Sequence, residues 1–450
     1  MSEDHAWLGI GQLASAFREG RFTPTEHLEH RLARIDSIDP QLCAFIRLDR
    51  EGARRAAREA GARFAAGKPR GPLDGVPIGI KDVIDVAGLP TNCHSRLMPG
   101  GPATKDAAVV AALRAGGAVI VGKLATHEFA IGGPSFDLPY PPARNPWNFD
   151  HHPGGSSSGA GAAVAAGLVS GAVGTDTAGS VRNPAGACGV VGLKPTLGAL
   201  SRAGVFPLAW SLDHVGVLTR SVADARLLHC AMGGHATALH RAIKGLRIGF
   251  VRHFHNRDMI AEPETAAALD RVASALEAAG AQVVPVELPP LDLFATINRV
   301  ILQAEGFALH AANLRARPMD FAATTRAALL PGAFTTAEDY LTAQRRRSEV
   351  FAAVEAVFAA VDVLLCANSM EPSCRIDDPA EIARSYMLNA RAPFSVTGHP
   401  ALAMMAGLSA MGLPLSVQFA GRLRDEGTLL SVAAAWESAM GPLPRPPITR

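Results

Sequence analysis

Short apolar runs alternate along this chain with longer segments in which apolar positions recur every three or four residues. Residues 76–80, 118–121, 170–174, 189–193, 246–251, 282–286 and 361–366 read as strands. Most are continuously apolar rather than alternating, which suits strands covered on both faces. Helix patterns lie between them. Thr23 reads as a cap with Pro24 at the first helical position. Residues 49–67 form an Ala/Arg-rich amphipathic helix ending at Gly67, and a helix over 106–115 closes at Gly116-Gly117. Further helices are predicted over 221–232, 262–279 and 336–360. Strands alternating with helices predict an α/β fold, with a mixed but mainly parallel central sheet covered by helices on both faces. No repeat or linker interrupts the pattern, so a single large domain is expected over residues 1–450.

Two stretches complicate the pattern. Residues 153–175 carry no charge and are long enough to cross a bilayer by length alone, yet they are crowded with Gly and Ser. Small and uncharged is not the same as hydrophobic, so the stretch reads as packed core. Residues 393–420, uncharged apart from His399, are broken by Pro393, Pro400 and Pro414. Met1–His5 lacks the basic-then-apolar pattern of a signal peptide. These readings predict a cytoplasmic protein with no membrane segment.

Composition narrows the classes further. With 450 residues and 48% apolar content the chain can bury a large core, and a net charge of +2 implies no field for nucleic acid. The six cysteines form no Cys-x-x-Cys pair and read as reduced, mostly buried thiols. Neither His151-His152 nor His253-Phe254-His255 has the spacing of helical metal ligands, so neither a metal nor a cofactor is expected. The partner expected is a small-molecule substrate; a homodimer is left open.

Candidate chemistry concentrates in two glycine-dense turns. Ser156 lies within Gly154-Gly155-Ser156-Ser157-Ser158-Gly159, and Ser180, 24 positions on, within Gly174-Thr175-Asp176-Thr177-Ala178-Gly179-Ser180-Val181-Arg182. Such turns let backbone amides approach a ligand closely. They run directly into a small-residue helix pattern and a strand, so they are not a flexible linker. No Gly-Lys-Ser/Thr follows the glycines, and Val164 stands where a dinucleotide fingerprint needs its third glycine. Gly155-Ser156-Ser157-Ser158-Gly159 also matches the Gly-x-Ser-x-Gly nucleophile elbow, but that elbow needs a preceding strand, and residues 144–153 carry two prolines and read as a loop.

Upstream, Lys81 ends the apolar run Val76-Pro77-Ile78-Gly79-Ile80. Only six of the 43 basic residues are lysines. Arginine stays charged in proteins, whereas a buried lysine can become the neutral base that a hydroxyl nucleophile needs. Taken alone, Lys81 reads better as a partner of Asp82 or Asp85, since buried lysines are usually paired; beside the two serine turns it reads as the base.

These residues and their order resemble the amidase signature family of Ser–Ser–Lys hydrolases. The resemblance extends to Asn145-Pro146-Trp147, to Cys188–Thr196, to Ser211-Leu212-Asp213-His214-Val215-Gly216, to Thr397–Ala401 and to Gly412–Gln418. It implies that Ser180 is the nucleophile, Ser156 a bridging serine joined to Gly155 by a cis peptide, and Lys81 the base. By the same resemblance the amides of Thr177, Ala178, Gly179 and Ser180 would form an oxyanion hole, with Ala178 replacing a common glycine. Ser157, Thr175, Asp176 and Arg182 would support the turns, and Phe129, Ala130, Ile131 and Gly132 would line the substrate pocket. Residues 1–70 become a helical amino-terminal region, 71–230 the catalytic core, 235–385 a variable substrate-side region and 386–450 a carboxy-terminal core strand and helix. The implied activity is hydrolysis of the C–N bond of a small apolar or aryl amide. A carbamate or ester hydrolase, and the amidase component of an amidotransferase complex, are the alternatives; Ser135-Phe136-Asp137-Leu138-Pro139-Tyr140 departs from the sequence expected of the last.

Overall fold

The computed structural model describes residues 6–98, 100–235 and 242–449; Met1–His5, where a leader was sought, lies outside them. Eleven strands form one sheet. In chain order they are β1 (Phe45–Leu48), β2 (Pro77–Lys81), β3 (Val119–Leu124), β4 (Gly171–Asp176), β5 (Val191–Lys194), β6 (His214–Thr219), β7 (Arg247–Phe250), β8 (Gln282–Pro285), β9 (Val363–Ala367), β10 (Ala401–Leu408) and β11 (Pro414–Gly421). Across the sheet the order is β1-β3-β2-β4-β6-β5-β10-β11-β9-β7-β8.

The α/β class and the large mixed sheet agree with the sequence reading, but the balance of pairings differs. Parallel pairs are confined to β3-β2-β4 and to β9-β7-β8. The other six of the ten pairings are antiparallel. The reason is local. β10 and β11 are joined by a tight turn in which the Gly412 amide donates to the Ser409 carbonyl, a connection only antiparallel neighbours can use. β6 inserts antiparallel between β4 and β5, a placement that no local pattern encodes.

β2, β3, β4, β5, β6 and β9 are buried at every position, as their continuous apolar runs require. The edge strands β1 and β8 are only half buried. Thr23 caps helix Pro24–Leu42 and exchanges bonds with Glu26, so the predicted start is the observed one. Helix Ser158–Ala165 is buried at all eight positions. A side chain on Gly159 would put its Cβ 2.3 Å from the Ala44 carbonyl oxygen, so only glycine allows this helix to pack so closely. That packing accounts for the uncharged stretch, and no described helix is long and apolar enough to cross a membrane. All six cysteines are unpaired.

Candidate active site

β2 and β4 run parallel with Ile80 opposite Val173, so their carboxy-terminal ends, Lys81 and Asp176, reach the same edge. The turn following β4 carries Ser180 and leads into helix Arg182–Cys188; the turn before helix Ser158–Ala165 carries Ser156. The Ser157 amide donates to the Ser180 carbonyl at 3.1 Å, stitching the two turns together. The Gly155–Ser156 peptide is cis. A Cβ on Gly155 would lie 2.1 Å from the His127 ring, so that imidazole packs directly on the turn.

Lys81 is fully buried. Its Nζ lies 2.8 Å from Ser156 Oγ and 2.8 Å from Thr175 Oγ1. Burial pushes the Lys81 ammonium down to about 7, against Asp176 and Asp213, whose charges favour the cation. The simpler expectation, an ion pair with Asp82, does not hold: Asp82 pairs with Lys123 at 3.1 Å. Three of the six lysines, Lys81, Lys123 and Lys194, are fully buried. Lys194 is held by the carbonyls of Pro195 and His399, and Lys123 by Asp82, the Pro90 carbonyl and Thr91 Oγ1, so of the three only Lys81 has hydroxyls alone as its described hydrogen-bond partners.

Asp176 organises the turn that carries Ser180. It accepts from the amides of Gly179 at 2.8 Å and Val181 at 3.1 Å, and from the Arg182 guanidinium at 2.8 and 3.0 Å. Burial alone would raise its carboxyl, but Arg182 holds it well below the usual carboxylate range. Arg182 in turn reaches Gln418 Oε1, the Arg391 carbonyl and Ser395 Oγ, tying the turn to the carboxy-terminal strands. Asp213, its carboxyl raised by burial, accepts from Thr177 Oγ1 at 2.6 Å and from the amides of Leu208 and Ala209.

Ser156 and Ser180 open onto a cavity of about 330 Å³. Thr177, Ala178 and Gly179, the residues expected to form an oxyanion hole, line it together with Ser180. Gly179 is different from its neighbours, however: its amide is already committed to Asp176. Among the described residues the amides of Thr177, Ala178 and Ser180 have no protein acceptor. Ser157 is fully buried, and its hydroxyl faces the Thr175 carbonyl rather than the cavity, so the elbow motif marks a packing contact.

The predicted pocket segment divides. Ala130, Ile131 and Gly132 line the cavity, whereas Phe129 does not. Its ring packs on Phe206, His310 and Phe321, at centroid distances of 5.3, 4.4 and 5.8 Å. Phe129 and Ala130 both have positive φ, 49° and 65°, and this left-handed pair turns the chain so that Phe129 enters the core while Ile131 faces the cavity. From the apolar run 205–210 only Leu208 reaches the cavity.

Much of the far wall comes from helix Leu291–Ala316, which the sequence reading left unassigned. Its buried positions, including Phe294, Ile297, Ile301 and Leu314, follow the three- and four-residue spacing that could have revealed it. Asn298 on this helix donates to the Thr177 carbonyl at 3.2 Å. Tyr386 and Arg391 close the cavity on the carboxy-terminal side, and neither carried a motif.

A model of the Amidase family matches residues 26–430. The chain belongs to the amidase family. A glutamyl-tRNA(Gln) amidotransferase subunit of Myxococcus xanthus (strain DK1622) is 35% identical, covering 95% of this chain and 96% of its own. Among solved structures, one described as a crystal structure of amidase superposes with a TM-score of 0.89 at 31% identity, over 96% of this chain and all of that one. The native peptide amidase of Stenotrophomonas maltophilia superposes with a TM-score of 0.84 at 29% identity, over 99% of both chains. This amidase is therefore an enzyme of a family that acts on C–N bonds.

Proposed function

We propose that this amidase hydrolyses a small amide through an acyl-enzyme on Ser180. The observation that carries the reading is a buried Lys81 whose Nζ reaches hydroxyls, those of Ser156 and Thr175, each at 2.8 Å. Neutral Lys81 accepts the Ser156 proton while Ser156 accepts that of Ser180, whose Oγ attacks the carbonyl carbon. The amides of Thr177, Ala178 and Ser180 hold the oxygen as it gains charge; Gly179, bound to Asp176, shapes the turn instead. Ser156 then returns a proton to the departing nitrogen. Water repeats the sequence in reverse and frees the acid.

Carbamates and esters present the same carbonyl, so the decisive experiment is a panel of amides, carbamates and esters offered to the purified chain. Amide turnover that disappears in Lys81→Met supports the reading. Turnover confined to esters or carbamates would reassign the substrate class, and full activity in Lys81→Met would remove the mechanism.

A second reading is favoured by the likeness to the Myxococcus xanthus protein: an amidotransferase component that uses the same acyl-enzyme step but works in complex with other chains. Copurification of partner chains from the native host, together with amidase activity that depends on them, would establish it.

A further inference from the structure

We propose that the substrate is the monoamide of a short aliphatic dicarboxylic acid, and that Arg299 receives its free carboxylate. The proposal rests on the hydrolase reading and names the substrate class of that site.

The cavity is asymmetric in charge. Arg299 and Arg391 line it, and among the described residues no Asp or Glu does. The carboxylates nearest the nucleophile are already engaged, Asp176 with Arg182 and Asp213 with the Thr177 hydroxyl and two amides. Arg299 is exposed, on the same turn of helix Leu291–Ala316 as Asn298, whose side chain touches the nucleophile turn. Its guanidinium meets only Met387 Sδ, at 3.8 Å, a weak acceptor, and no carboxylate lies within ion-pair distance among the described residues. Arg384, close by in sequence to Tyr386, shows the contrast: it takes both Glu371 and Glu381.

Arg391 adds to this field from the inner wall. It is 4% exposed, and its Nη1 is held by the Asn368 carbonyl and Ser369 Oγ, while its buried Nε has no acceptor. Burial and the like charge of Arg182 push it down to about 9, which leaves it cationic at neutral pH. A cavity with two guanidinium groups and no counter-charge favours an anion, and the fork of Arg299 matches a carboxylate. The same lack of acidic groups leaves an α-ammonium without a partner, so an amino-acid amide is a poorer fit than the corresponding acid lacking the amino group. The same cavity is lined by Ile131, Leu208, Leu291 and Leu302, apolar side chains that suit methylenes.

The test compares succinamate, glutaramate and adipamate with their neutral diamides and with glutamine. The wild-type enzyme is expected to prefer at least one monoamide over its diamide by roughly 10- to 100-fold in kcat/KM, mainly through KM, as for a hydrogen-bonded charge pair. That preference is expected to fall by a similar factor in Arg299→Gln, to recover in part in Arg299→Lys, and to weaken with added salt. Calorimetric binding of succinate, glutarate and adipate to Ser180→Ala, with and without Arg299→Gln, reads the site without turnover. Equal kcat/KM for monoamides and diamides, or diacid binding that ignores Arg299, overturns the proposal while leaving the hydrolase reading intact. Arg299-dependent diacid binding with no turnover of any amide, carbamate or ester supports the anion site and overturns the hydrolase reading instead.

Discussion

The turn that carries Ser180 and the helical wall of the cavity are built on different physical principles. Around Asp176 the charges are paired: the Gly179 and Val181 amides and the Arg182 guanidinium converge on one carboxylate, and Arg182 gives its remaining donors to Gln418, the Arg391 carbonyl and Ser395. The helical wall, Leu291–Ala316, offers Leu291, Leu302, Gln303 and Arg299 to the cavity with few bonds to constrain them. A satisfied buried network admits one arrangement, because breaking any member leaves an orphaned charge. An apolar wall exchanges side chains at modest cost as long as volume is kept. Chemistry is therefore expected to reside in the first region and selectivity in the second.

The sharpest break of this comparison is Ser180→Ala. Turnover of every substrate is expected to fall roughly 10⁶-fold, with folding retained, as when a hydrolase loses its nucleophile. Labelling by a serine-directed phosphonate should vanish with it; persistent labelling at Ser157 would mean that the elbow motif, not the turn after β4, carries the nucleophile.

Lys81 comes next. Lys81→Met and Lys81→Arg are each expected to lose roughly 10²- to 10⁴-fold in kcat, since neither side chain can take the proton. The wild-type pH profile follows from burial, which sets Lys81 at about 7. Below that pH the lysine is protonated and cannot act as base, so kcat/KM should rise with pH through about 7 and level off above it. An active Lys81→Arg enzyme with an unchanged profile would show that the lysine serves structure only.

Gly179→Ala tests the paired network. Gly179 sits at φ +115°, and a Cβ there would lie 2.5 Å from Arg391 Cδ, packed against the side chain that walls the cavity. The substitution is expected to lower kcat for all substrates by roughly 10²-fold, the cost of displacing reacting groups by about 1 Å. A variant with normal kcat and altered substrate ranking would place Gly179 with the selectivity wall instead.

The smallest effect is expected at Leu302→Ala. Losing a wall side chain should raise KM for the preferred substrate by roughly 10-fold, leave kcat nearly unchanged and shift preference toward bulkier acyl chains. A uniform fall in kcat across the panel would erase the distinction between the two regions.

Much of the first region was legible from residue order. The glycine-dense turns, the uncharged run that holds the first of them and a lysine ending an apolar strand are local features; the Ser–Ser–Lys roles came instead from the resemblance of those residues and their order to the amidase signature family. Thr23, Pro24 and Glu26 marked a helix start for the same reason: capping is decided within one turn. Phe129 shows where local reading ends. Its apolar side chain suits either pocket or core, and only two successive left-handed residues, packed on Phe206, His310 and Phe321, send it inward.

By itself the sequence determined the α/β class, a lysine at the end of an apolar strand, two glycine-dense turns carrying Ser156 and Ser180, and the small-residue helix between the two serines, because each depends on neighbours a few positions away. Tertiary structure decided the antiparallel insertion of β6, the pairing of Asp82 with Lys123 instead of Lys81, the loss of the Gly179 amide to Asp176, and the meeting of Arg299 with Arg391 across one cavity. Those outcomes join residues from 3 to 92 positions apart, and they turn on which donors and charges reach one another once the sheet has closed. Burial has the same origin: it pushes the Lys81 ammonium down to about 7, and no pattern of types along the chain records how completely a side chain will leave water.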